Sequence, residues 1–125
     1  VADAYLSVAT PLQQAAGSLL AAGQAVHQAI AGRVRRNLGH LREASAASPC
    51  SVLRVEGGWS AVLRVPATRP EETIVLDLLE QDGVLVHPGY FFDFPREAFL
   101  VLSLLPPPAS FDEGVSRLIA RLSLG

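Results

Sequence analysis

The residues with chemical capacity concentrate between Val84 and Ser103, in the run VLVHPGYFFDFPREAFLVLS. His87 can exchange a proton near neutral pH, and Asp93, Arg96 and Glu97 form a set of charges whose plainest use is exposed ion pairing. Tyr90, Phe91, Phe92 and Phe94 stand among them. A loop with that many rings either folds them into the chain's own core or offers a surface that a ligand or another domain covers. Elsewhere the candidates fall away. His27, His40 and His87 are too scattered for a zinc centre, and no helical stretch carries paired ligand spacing. Ser7, Ser51, Ser60 and Ser103 lack the context of a nucleophile elbow, and Cys50 follows a proline with no base at hand. Gly57-Gly58 is too short for a phosphate cradle and stands in a hairpin, not ahead of a helix. All 10 basic residues are arginines, so chemistry that needs a lysine imine has no side chain here to supply it.

The elements that would position the 84–103 run are legible from periodicity. Val1 to Val8 has helical character without a cap ahead of it; Thr10 as cap and Pro11 in the first turn open a helix whose Leu12, Ala15, Ala16, Leu19 and Leu20 share a face up to Gly23. Val26, Ile30, Val34, Leu38 and Leu41 form a stripe along a longer helix from Gln24 to about Ala46, with Arg33, Arg35, Arg36 and Arg42 mostly off it on a solvated face. Residues 50–55 and 60–65 read as two strands of a hairpin around Glu56-Gly57-Gly58-Trp59, with Leu53, Val55, Ala61, Leu63 and Val65 on one side, Arg54 and Arg64 on the other, and Trp59 as a packing anchor. Thr68 with Glu71 matches a capping box for a helix with Ile74, Val75, Leu78 and Leu79 on its apolar face, ending at Gly83. Val84 to His87 reads as a buried strand broken by Pro88-Gly89, and Ala98 to Leu104 as another. Pro106-Pro107-Pro108 stops it, and Ser110 with Glu113 makes a second capping box before Val115, Leu118, Ile119 and Leu122.

The expected class is α+β: a small mixed or antiparallel sheet with helices packed on one face. One domain is expected over residues 1–125, with a helical part at 1–46 and the sheet plus two helices at 50–125. Half of the residues are hydrophobic and 18% are charged, which places the chain among folded globular proteins. A formal charge of -2 gives no electrostatic reason to expect nucleic acid or an anionic membrane, and no apolar run is long enough to span a bilayer. The chain is expected to be cytoplasmic. It starts Val1-Ala2-Asp3 with no methionine anywhere, which suggests an excised fragment or a processed product.

The order of these elements resembles the C-terminal small domain of class I/II, fold type I pyridoxal-phosphate aminotransferases, closest to the alanine/aspartate type. Its carriers are the early ADAYLSVATPLQ stretch from Ala2 to Gln13, the hairpin turn Glu56 to Ala61, Val86-His87-Pro88-Gly89 with its aromatic sequel, and Leu102-Ser103-Leu104. The resemblance covers nearly the whole chain. It implies a parent that passes an amino group between an amino acid and a 2-oxo acid, with pyridoxal phosphate held by a lysine of a large domain in the same polypeptide. This chain would bind no coenzyme itself and would be inactive alone. In that family a small-domain arginine clamps the substrate carboxylate, and the position matching it here, two before Ser103, is Val101. Arg96 is then the nearest substitute, with Tyr90 and Phe91 walling off solvent. Self-association into a homodimer is a further expectation. The alternative is a stand-alone amino-acid-binding regulatory or dimerisation module.

Overall fold

A computed structural model of the chain describes residues 8–96 and 98–124. The element order is α1 (Thr10–Ala22), α2 (Gln24–Ala46), β1 (Ser51–Val52), β2 (Ser60–Arg64), α3 (Glu71–Asp82), β3 (His87–Pro88), a 3-10 turn (Gly89–Phe92), β4 (Phe99–Ser103) and α4 (Pro108–Ser123). The expected helix at the N-terminus falls largely outside the described residues. Two compact units divide at Ala31–Gly32, within α2. In the first, α1 starts with Pro11 in its opening turn and has no buried residue; Leu12, Leu19 and Leu20 are exposed.

The second unit holds the sheet, which has the order β1-β2-β4-β3 with every pairing antiparallel. Residues directly opposite one another share a face. Val52, Leu63, Leu100 and Pro88 therefore form one row on the core side, followed by Ala61 with Leu102. Against that side pack Leu41 of α2, Ile74 and Leu78 of α3, and Phe111, Val115, Leu118 and Leu122 of α4. The sheet with helices on one face is the α+β arrangement that the periodicities imply.

Several local expectations change. The register pairs Val52, not Leu53, with Leu63, so Val52 faces the core and Leu53, whose amide reaches Val62 O at 2.9 Å, is carried to the other side. Val84 to Val86 is unpaired and the ladder forms at His87–Pro88; Pro88 is tolerated because β3 is an edge strand, where a missing N–H costs no ladder bond. Neither capping box forms. Pro70 and Pro107 are the N-cap residues of α3 and α4 with no side-chain cap, Glu71 turns elsewhere, and Glu113 pairs with Arg117. Ala9, not Thr10, precedes α1. Leu79 is exposed on α3, and Trp59 is 62% exposed because it precedes β2 at the end of the sheet, where only its carbonyl is used, accepting from Leu104 N–H at 2.7 Å. Gly83 does end α3, in the left-handed region at φ 65°, and the N–H of the following residue, Val84, reaches back to Leu78 O at 2.9 Å.

Two bidentate ion pairs tie the helices. Arg121 meets Asp82 through Nε–Oδ2 at 2.7 Å and Nη2–Oδ1 at 3.0 Å, and Arg36 of α2 grips both oxygens of Asp112 on α4. Hydrogen bonding from Arg121 holds the Asp82 carboxyl below the usual carboxylate range, and Arg36 does the same for Asp112. A folded-state value below the unfolded one adds stability that is present above the unfolded carboxyl value, about 4, and lost as pH falls through the depressed one. Acid denaturation followed by circular dichroism checks this. The Asp82→Asn, Asp112→Asn double variant is expected to be less stable than the parent at neutral pH, with the gap closing on acidification; a gap independent of pH contradicts it.

Candidate substrate-facing surface

The 84–103 run supplies the edge strand β3, its neighbour β4 and the turn between them, and some of its side chains lie on the sheet face away from the helices. Val62, Val101 and His87 form the central row of that face, with Arg64 and Phe99 beside them. Past Pro88 the chain turns through Gly89–Phe92, and Asp93 closes the turn in the left-handed region at φ 58°, its N–H on Tyr90 O at 3.3 Å. That conformation is one that aspartate tolerates better than most residues. It throws three rings outward: Tyr90, Phe91 and Phe92 are 49, 62 and 53% exposed. The chain's own core therefore does not take up these three rings, while Phe94 is half-buried.

The rings are ordered with respect to each other. Tyr90 and Phe91 meet edge to face with centroids 4.8 Å apart and planes at 89°, a favoured aromatic geometry. The His87 ring lies 6.3 Å from both Phe91 and Phe92. Phe94 and Phe99, half-buried, pack at 4.8 Å beneath. Tyr90 and Phe91 are thus brought together. Val101 sits next to them in the fold, opposite His87, and is buried. Arg96 is exposed on the loop and makes no hydrogen bond or ion pair with the described residues, Asp93 included. Asp93, Arg96 and Glu97 were expected as a cluster; Glu97 lies outside the described residues.

Sequence reasoning missed Glu71. Its carboxylate, 1% exposed, accepts the N–H of Phe99 at 2.6 Å through Oε1 and that of Tyr90 at 3.2 Å through Oε2. The Thr68 to Glu71 spacing pointed to helix capping, and nothing in the local sequence distinguishes that use from a long-range one. Among the described residues no cluster of metal-ligating side chains occurs. An apolar groove of about 250 Å³ runs between Val84–Val86, Leu102 and the start of α4, but only Ser103 and Ser110 line it with side-chain hydroxyls and no titratable group does. Cys50 is buried, and that burial pushes its thiol up from the ordinary value, away from nucleophilic use.

No protein-family model and no curated protein sequence matches the chain. Solved structures do match. The Escherichia coli protein YbdL, whose structure is described with a methionine aminotransferase function, superposes with a TM-score of 0.70 at 22% identity over 91% of this chain and 31% of its own. Another aminotransferase from Escherichia coli gives 0.67 at 23% identity, over 73% of this chain and 24% of its own. The aspartate aminotransferase of Rhizobium meliloti gives 0.61 at 20% over 73% and 25%. The chain shares its fold with part of each of these aminotransferases. The chain spans 24 to 31% of the length of these aminotransferases. The chain has no lysine, so it offers no lysine side chain to form an imine with a carbonyl coenzyme.

Proposed function

We propose that this chain is the C-terminal small domain of a pyridoxal-phosphate aminotransferase that exchanges an amino group between an amino acid and a 2-oxo acid. The observation that carries the reading is the fold shared with several aminotransferases over most of the chain. The coenzyme and the lysine that holds it belong, on this reading, to a large domain of the same polypeptide, which is also the partner of the domain's apolar surface. The chain's own contribution is to close over the substrate. Tyr90 and Phe91 exclude water from one side, and Arg96 supplies the cation for the substrate carboxylate that Val101, uncharged and buried, does not. Self-association and a cytoplasmic setting complete the proposal; among the described residues no helix is long and apolar enough to cross a membrane.

The test compares this chain with the longer polypeptide that carries it. The chain alone is expected to give no binding heat with L-alanine and to retain no yellow absorbance after incubation with pyridoxal phosphate and removal of the free coenzyme, while the longer polypeptide transaminates. Binding heat from the isolated chain would move the reading to an amino-acid-binding module, and a longer polypeptide that neither binds the coenzyme nor transfers an amino group would end it. In that polypeptide Arg96→Ala is expected to raise the KM for the amino acid about tenfold or more, a loss of about 1.4 kcal/mol. An unchanged KM removes Arg96 from the site.

A further inference from the structure

Glu71 is the first residue of α3, yet its carboxylate serves elements distant in sequence. Phe99 pairs with Arg64 on the β2 side, but β3 has already ended at Pro88, opposite Leu100, so no strand remains beside the outer amide of Phe99. Oε1 of Glu71 takes that amide at 2.6 Å. Tyr90 is the second residue of the 3-10 turn, where the first amides have no acceptor within the turn, and Oε2 takes its N–H at 3.2 Å. A carboxylate buried this deeply is tolerated only when donors replace its water, and both oxygens have one.

Gly89 makes the close approach possible. A Cβ there would stand 2.9 Å from Phe99 Cβ, 3.1 Å from Phe99 O and 3.2 Å from Glu71 Oε1. Any side chain would pry the turn from β4 and from the carboxylate at once.

We propose that Glu71 is the positioning residue of the aromatic turn: its carboxylate bridges the amides of Tyr90 and Phe99 and so fixes Tyr90, Phe91 and Phe92 in one exposed arrangement before anything binds. The purpose of that preorganisation rests on the aminotransferase reading, in which the rings wall off the substrate; the latch itself does not. A surface whose pose is set in advance loses less freedom when it is covered.

Glu71→Gln and Gly89→Ala, each in this chain and read by NMR, test it. The carboxamide keeps the size of the side chain but presents an NH2 where a second acceptor is needed. In both variants the amide of Tyr90 or Phe99 is expected to exchange about tenfold faster or more, while the amides of Leu63 and Leu102 keep their rates. The ring resonances of His87, 6.3 Å from Phe91 and Phe92, are expected to shift as those rings leave their pose. Unchanged exchange at both amides with unchanged His87 resonances overturns the proposal. Uniform acceleration of all amides with the His87 resonances in place also overturns it, since that would make Glu71 a contributor to overall stability only. Neither readout involves coenzyme or amino acid, so failure of the aminotransferase reading is seen separately.

Discussion

Leu100→Ala is expected to cost about 3 kcal/mol, within the range of roughly 2 to 5 seen when a core leucine is cut to alanine. Leu100 is fully buried on the middle strand pair, faces Leu63 across β2 and shares its row with Val52 and Pro88. The helices α3 and α4 lie over that row, held by Ile74, Leu78, Val115 and Leu118. They are also pinned to each other through Arg121 and Asp82, so they cannot sink freely into the space left by the lost atoms. The penalty is thus transfer plus cavity. In a domain whose whole stability is about 5 to 15 kcal/mol, a large share disappears. Urea denaturation followed by far-ultraviolet circular dichroism is the measurement, because Trp59 is too exposed to report core unfolding. Leu85→Ala, at a position 70% exposed, is the control and is expected to stay within about 0.5 kcal/mol of the parent. Equal losses in the two variants would mean that the core is not centred on this row.

That row was only partly legible beforehand. Alternation in Ala61, Leu63 and Val65 marked the core face of β2 because a strand's period of two leaves little freedom once one face is wet. The same alternation misled at Leu53, where register is set by pairing with β2 and not by the strand's own pattern. The helices were found by their apolar spacing, but their starts were not: with proline at position 70 or 107, the chain enters the helix in an extended conformation without needing a side-chain cap. Val26 and Ile30 continue the stripe of α2 and yet are exposed, since periodicity says which residues share a face and not whether anything covers it.

The site shows the same division. That Tyr90 and Phe91 belong to a loop between strands follows from Pro88-Gly89 and the apolar runs on either side. Their exposure does not follow, because burial of aromatic rings is the commoner outcome and the left-handed turn at Asp93 decides otherwise. Glu71 and Asn37 escaped for a shared reason. A polar residue buried to bond backbone far away in sequence has no periodic signature; its partners are separated from it by 19 and 28 residues for Glu71, and by 67 and 69 for Asn37.

Asn37 carries the second large effect. It is wholly buried on α2, and its Nδ2 donates to Leu104 O and to Pro106 O, each at 3.0 Å. Pro106, Pro107 and Pro108 bring no amide of their own, so the connection from β4 to α4 depends on outside donors to settle it. Arg33 adds one to Leu105 O at 3.3 Å. Asn37→Ala leaves the buried Leu104 carbonyl and the half-buried Pro106 carbonyl without their donor and is expected to cost about 2 kcal/mol. Asn37→Asp is expected to be worse near neutral pH, because an anion of nearly the same shape would face two carbonyl oxygens with nothing to donate. Arg36 Nη1, which donates to Asn37 Oδ1 at 3.2 Å, would favour the anion, but that guanidinium is already engaged by Asp112, so burial and the two carbonyls outweigh it and the new carboxyl would titrate above its unfolded value when folded. Its penalty would therefore grow as pH rises past the unfolded value and recede on acidification, opposite in sign to the behaviour of Asp82 and Asp112. Urea midpoints of the aspartate variant at a series of pH values measure this directly: convergence with the parent toward acid is expected, and a constant offset would mean that the side chain has swung out to solvent and left the proline connection unsupported.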